Sequence, residues 1–315
     1  MSLSHFNIHV ISVVLTTFLV SMVGASEAQD RMPKKLVYIM DTGASKADVL
    51  MQADSEYDRQ GSAVWSPDGT RIGFDSFRSL TGETFRECHV FLTDIDGKEW
   101  ADLGDGAMPS FSHDASRICF SRYSPNHGVW LMNADGSGKE CIDPRGWSPR
   151  WSPNGKWIAY TRGANFVLYD PAERKEVRLL LHGDRANRYS TIFWSFDWSR
   201  DSKSLAFKGS LREPKANATD DDAQYEVATV NVNGSDHGFE VCYSGKTSDQ
   251  ITWHPDGSLI FSMANKSAGK PQFYTLASNG KAEPELLAKQ PDFRWIEGAA
   301  WSPDGKRLLM IGTPK

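Results

Sequence analysis

A ten-residue phrase, Trp65-Ser66-Pro67-Asp68-Gly69-Thr70-Arg71-Ile72-Gly73-Phe74, returns with small edits at Phe111, Trp151, Trp198, Trp253 and Trp301. Each copy reads aromatic, small, turn, apolar. Pro67 fixes φ for the first turn position and Gly69 accepts the positive φ that follows, so the centre of the phrase presets a tight turn. The flanking runs alternate apolar with polar, as in Arg71-Ile72-Gly73-Phe74 and Arg117-Ile118-Cys119-Phe120, which is a strand pattern. Each phrase therefore predicts a β-hairpin. A second apolar run follows after a variable gap, for example His89-Val90-Phe91-Leu92-Thr93-Asp94 and Val129-Trp130-Leu131-Met132-Asn133. Most of these runs end in Asp-Gly or Asn-Gly, a strong hairpin signal. Two hairpins per unit make a four-stranded antiparallel sheet.

The copies open at positions 65, 111, 151, 198, 253 and 301, so they lie 46, 40, 47, 55 and 48 residues apart. That is the period of propeller blades and too long for most solenoids. Only 14 residues follow Trp301, enough for one hairpin and not two. Leu36 to Ser45 has the form of a second hairpin with no first hairpin ahead of it. The expected fold is all-β: a six-bladed β-propeller of four-stranded antiparallel blades over residues 29–315, its C-terminal blade completed by N-terminal strands. Closure by both chain ends removes the exposed sheet edges that invite aggregation.

The phrase W-S-P-D-G-x-x-I-x-F, followed by an apolar strand and D-x-D-G, resembles the WD40-like Pro-Asp propeller repeat of the C-terminal domain of the TolB family. The resemblance spans almost all of the chain beyond residue 28. It implies the propeller fold and, by analogy, a cell-envelope protein presenting an extended peptide as partner. The expectation is a propeller without the α/β domain that precedes it in that family, so roles of that domain do not carry over. A propeller hosts many unrelated activities, and function has to be argued from the site.

Residues 1–28 read as a signal peptide, with an apolar stretch from Val10 to Val23 and small residues ending at Ala25 or Ala28. Met1 to His9 lacks Lys and Arg, a departure from the usual pattern. The apolar stretch of about fourteen residues is short for a membrane span, which needs roughly 20. Cleavage is expected, leaving a periplasmic or secreted protein that is a monomer and not an integral membrane protein. With a formal net charge of −5 and no runs of Lys and Arg, nucleic acid is an unfavourable partner. Cys88, Cys119, Cys141 and Cys242 allow three pairings and show no CxxC spacing; Cys119 reads as a core residue. No metal or other cofactor is expected, the acidic run Asp220-Asp221-Asp222 lacking the spaced ligands of a calcium loop.

Strands alternate in direction, so turns within hairpins share one face of the disc, here the turn face. Connections between hairpins and between blades share the other, the loop face. The longer connections, Ser76 to Glu87, Arg122 to Gly128, His182 to Phe196, Gly209 to Ala223 and Ser262 to Lys270, all belong to the loop face, where function concentrates. Residues just ahead of the innermost strands are expected to ring the channel mouth. From these we select Arg145, Trp147, Arg150, Trp194, Asp197, Asp249, Arg294, Trp295 and Glu297 as binding residues, since Trp and Arg dominate binding hot spots. Arg59 and Asp105 belong to the same ring. The motif tryptophans, recurring once per blade, are expected to pack. No G-x-S-x-G, H-E-x-x-H or phosphate loop occurs. The favoured reading is a non-catalytic protein-binding scaffold of the cell envelope. The alternative is a carbohydrate-active enzyme, a polysaccharide lyase or glycoside hydrolase, using Asp105, Asp197, Asp249 and Glu297. Lyase-type propellers of this repeat class bind a metal through several inward histidines, whereas only His127 and His182 fall on the loop face.

Overall fold

The repeat dictates how the sheets succeed one another along the chain. In the computed structural model, residues 34–44, 46–50, 57–77, 87–213, 224–233, 238–245, 247, 250–265, 269–278 and 283–313 are described. The chain opens with β1 (Leu36–Asp41) and β2 (Asp48–Val49). Blade 1 is β3 (Arg59–Trp65), β4 (Arg71–Phe77), β5 (His89–Asp94) and β6 (Trp100–Asp105). Blade 2 is β7 (Ala107–Phe111), β8 (Arg117–Arg122), β9 (Gly128–Asn133) and β10 (Glu140–Asp143). Blade 3 is β11 (Trp147–Trp151), β12 (Ile158–Thr161), β13 (Phe166–Asp170) and β14 (Lys175–Leu179). Blade 4 holds β15 (Tyr189–Ile192), β16 (Asp197–Trp198), β17 (Ser204–Leu211), β18 (Tyr225–Asn231) and β19 (Phe239–Ser244). Blade 5 is β20 (Ile251–Trp253), β21 (Ser258–Asn265), β22 (Lys270–Ala277) and β23 (Glu285–Leu286). The last strands, β24 (Trp295–Trp301) and β25 (Arg307–Thr313), join β1 and β2 in blade 6.

Closure follows the expected register. β1 runs antiparallel to β25, with Leu36 opposite Gly312 and Asp41 opposite Arg307. The same segment also reaches blade 1: Gln60 donates its backbone N–H to Lys35 O at 2.9 Å, and Val37 N–H donates to Gln60 Oε1 at 2.8 Å. Residues near both chain ends thus hold blade 6 together and fasten it to blade 1.

The Ser-Pro-Asp-Gly turn has a specific hydrogen-bond logic. Ser66 Oγ accepts from Arg71 N at 2.9 Å and donates to Asp68, whose carboxylate accepts from Thr70 N at 3.0 Å. Gly69 takes φ 70°, where a side chain would be strained. The same bonds recur at Ser112 and Asp114, Ser152 and Asn154, Ser199 and Asp201, and Ser302 and Asp304. In blade 5, His254 Nδ1 stands in for the serine and accepts from Asp256 N at 3.2 Å.

The apolar runs fill the clefts between blades. Leu36, Tyr38 and Met40 pack with Ile260 and Phe273 of blade 5, whereas Val37 packs with Ile72, Phe74 and Phe91 of blade 1. Successive residues of a strand point to opposite faces. A blade packed on both faces therefore needs continuous apolar strands, such as Leu308 to Ile311. Corresponding clusters fill the other four clefts.

One expected loop is structured. Within His182 to Phe196, Gly183–Asn187 forms a 3-10 helix and β15 pairs with β17, Tyr189 opposite Leu211. Tyr189, Ile192 and Phe196 are buried, so this stretch extends the inner strand of blade 4 in two pieces instead of running over the surface. The signal segment, the loop stretches 78–86, 214–223 and 266–268, and the Asp220 to Asp222 run lie outside the described residues. The four cysteines are free thiols, with only Cys141 exposed. Among the described residues no helix is long and apolar enough to cross a membrane.

Candidate functional site

Six inner strands meet around the axis, and their turn-face ends enclose a cavity of 430 Å³. Its wall carries the motif aromatics Trp65, Phe111, Trp151, Trp198, Trp253 and Trp301, and its rim the Ser-Pro turns of three blades and the His254-Pro255 turn of blade 5. The motif tryptophans therefore do more than pack: they also form the cavity lining. Trp65, Trp151 and Trp198 are buried, Trp253 and Trp301 half-buried.

Their indole N–H groups tie neighbouring blades. Trp65 donates to Ala300 O at 3.0 Å, Trp198 to Arg150 O at 3.0 Å and Trp253 to Asp197 O at 3.2 Å. In each case the acceptor is the residue preceding the motif aromatic of the previous blade. Trp151 departs from this and donates to Gly155 O of its own turn. Trp301 Nε1 is buried without an acceptor among the described residues, its ring lying edge-on to His254 with centroids 4.5 Å apart.

Of the residues selected from sequence, the structure places Arg150 and Asp197 in the cavity wall. Asp197 Oδ1 accepts from Trp198 N at 2.9 Å, and Oδ2 from Thr252 Oγ1 at 2.8 Å and Trp253 N at 3.0 Å. Burial raises its pKa against the pull of these donors. Its carboxylate is thus an inter-blade tie. Among the described residues Arg150 makes only two long hydrogen bonds, from Nη1 to Pro109 O at 3.4 Å and Pro149 O at 3.5 Å. Burial lowers its pKa, while Asp197 and Asp75 hold it up.

Arg145, Trp147, Trp194, Arg294, Trp295 and Glu297 do not line this cavity. They lie towards the loop face, at the opening of inner strands. Trp194 is 42% exposed and Trp295 50% exposed. Trp147 is half-buried, stacked on His127 with centroids 5.3 Å apart and against Tyr123 at 4.7 Å. The Arg145 and Arg294 side chains reach solvent, and Glu297 pairs with Lys35. Arg59 is buried against the Phe77 ring, and Asp105 pairs with Arg122 at 2.8 Å and approaches His89. Asp249 lies outside the described residues.

A set of inward polar residues was missed from sequence. In blades 1 to 5 the position directly after the second-strand apolar run is Asp75, Ser121, Thr161, Lys208 or Ser262, all buried. Asp75 accepts from Met108 N and Ser121 from Ser148 N, both at 2.7 Å, fastening one blade to a bulge in the next inner strand. Lys208 donates to Thr247 O at 2.8 Å between the rings of Phe193 and Tyr225, 4.3 and 4.4 Å from Nζ. The signal was present as a polar residue closing five of the six runs, in Phe74-Asp75, Phe120-Ser121, Tyr160-Thr161, Phe207-Lys208 and Phe261-Ser262. Among the described residues, no group of three or more His, Cys, Asp and Glu is placed to hold a metal ion.

No family model and no curated protein sequence matches the chain. Solved structures match its fold. A protein assigned as TolB from Agrobacterium tumefaciens superposes with a TM-score of 0.63 at 17% identity, covering 89% of this chain and 98% of that one. TolB from Acinetobacter baumannii gives 0.54 at 16% identity, covering 88% and 71%. An oligogalacturonate lyase in complex with manganese gives 0.51 at 17% identity, covering 74% and 68%. At these identities the likeness is one of fold, the six-bladed propeller found in TolB.

Proposed function

We propose that this chain is an exported, TolB-like propeller that binds a segment of another cell-envelope or secreted protein through its loop face. The observation that supports this reading is the exposure of Trp194 and Trp295, 42% and 50%, at the openings of the inner strands of blades 4 and 6. Large apolar rings held in water around a channel mouth are the features that bury area on association. Arg145 and Arg294, both reaching solvent on the same face, add charge for an extended peptide. Among the described residues, the loop-face acids that an enzyme would use are engaged, Glu297 with Lys35 and Asp105 with Arg122.

The test is a peptide array of envelope-protein sequences probed with the intact protein. Trp194→Ala combined with Trp295→Ala should abolish capture of the peptides bound by the parent, with the thermal midpoint unchanged. Release of oligosaccharide from a polysaccharide panel, lost on Glu297→Gln, would replace this reading with the carbohydrate-active one suggested by the lyase neighbour.

A further inference from the structure

The turn-face cavity is a cationic spot in an acidic protein. The chain carries a formal net charge of −5, yet the charged residues lining the cavity are Arg150, Arg200 and Asp197, with His113 and His254 at the rim. The single carboxylate accepts three hydrogen bonds from its own surroundings. Arg150 has no ion pair among the described residues, and its Nε and Nη2 have no hydrogen-bond acceptor there. Arg200, exposed on the rim, has no hydrogen bond or ion pair among the described residues. Asp75 acts on Arg150 only through its field, its Oδ2 being occupied by Met108 N.

An under-used guanidinium in a partly enclosed wall is suited to a planar acceptor, because its fork matches a carboxylate in two parallel bonds. The surrounding indoles of Trp65, Trp151, Trp198, Trp253 and Trp301 offer apolar area to whatever carries that acceptor. The aromatic ring alone would also suit a cation, but Arg150 repels one and Asp197 has no oxygen without a donor. At 430 Å³ the cavity lies within the range of about 300–1,000 Å³ typical of small-ligand sites.

We propose that the turn-face end of the channel is a receptor for one carboxylate carried on an apolar or aromatic body, bound by Arg150 in the wall and steered by Arg200 at the rim. This site lies on the opposite face from the protein-binding surface above and does not depend on it. The carboxylate has two sources: the C-terminus of a polypeptide or a free small acid.

Isothermal titration of the intact protein with N-acetyl-L-tryptophan and N-acetyl-L-tryptophanamide separates charge from ring. The acid should bind at least about tenfold tighter than the amide, with the preference shrinking as salt rises. Arg150→Met should erase the preference. If that variant does not fold, Arg200→Gln, at an exposed position, carries the test and should weaken the acid about threefold while leaving the amide unchanged. A pentapeptide ending in Trp that binds tighter than N-acetyltryptophan identifies a polypeptide terminus, and equal binding identifies a free acid. Equal binding of acid and amide, an unchanged preference in a folded Arg150→Met protein, or tighter binding of digalacturonate than of N-acetyltryptophan would each overturn the proposal.

Discussion

Trp198 and Trp301 occupy the same place in the repeat but differ in one hydrogen bond, which makes them a matched pair for weighing the inter-blade tie. Trp198 is 4% exposed and donates to Arg150 O at 3.0 Å, whereas Trp301 is half-buried and its Nε1 has no acceptor among the described residues. Replacing Trp198 by Phe takes the indole donor away from the Arg150 carbonyl, at a cost of about 1–3 kcal/mol. The lost ring volume adds about 1 kcal/mol. The loss for Trp198→Phe should therefore be about 2–4 kcal/mol. Trp301→Phe loses volume only, on a partly solvated side, and should cost about 1 kcal/mol or less. Urea unfolding followed by far-UV circular dichroism reads the difference as separated midpoints at similar slopes. Equal midpoints for the two variants, or a larger loss at Trp301, would refute the idea that indole donors fasten one blade to the next.

The turn aspartates give a signed pH dependence. The Ser112 hydroxyl and the Ser116 backbone hold Asp114 down to about 2, and Ser66, Ser199 and Ser302 lower Asp68, Asp201 and Asp304 in the same way. A depressed folded pKa stabilises above the unfolded value, about 3.9, and that stability disappears as pH falls from there towards 2. Asp114→Asn should keep the turn, since Asn154 already occupies this place in blade 3, and should flatten the decline of the urea midpoint between pH 4 and 2; an unchanged slope would contradict the assignment. Burial pushes Cys119 up to about 12 and Cys242 to about 11, and raises Cys88 well above the ordinary thiol value, while Cys141 is exposed. Maleimide at neutral pH should thus modify Cys141 alone in the native protein and all four thiols in denaturant, read by intact mass; rapid labelling of a second native thiol would contradict the burial.

What was legible in the sequence was whatever the repeat imposes. Turn chemistry and strand alternation gave the blades, and the unmatched Leu36 to Ser45 run gave the closure, because hairpin signals are local. The candidate site was legible only in part. Its residues sit on inner strands that carry bulges, with Ser62, Met108 and Ser148 at φ 46°, 56° and 52°. A bulge shifts every later side chain to the other face of the strand. Counting back from the motif aromatic therefore could not separate Arg150, which reaches the cavity, from Trp147, which stacks on His127. The split inner strand of blade 4 was hidden for a related reason: Tyr189, Ile192 and Phe196 bury themselves by tertiary packing that no local signal announces.

Site-specific photo-crosslinking in the native cell tests most directly which face meets a partner. With p-benzoylphenylalanine placed at position 194 or 295 on the loop face, or at position 68 or 304 in the turns, the account predicts a discrete higher-mass adduct from 194 and 295, whether or not a polypeptide terminus in the turn-face cavity also gives one from 68 and 304. Adducts from the turn positions alone would contradict it.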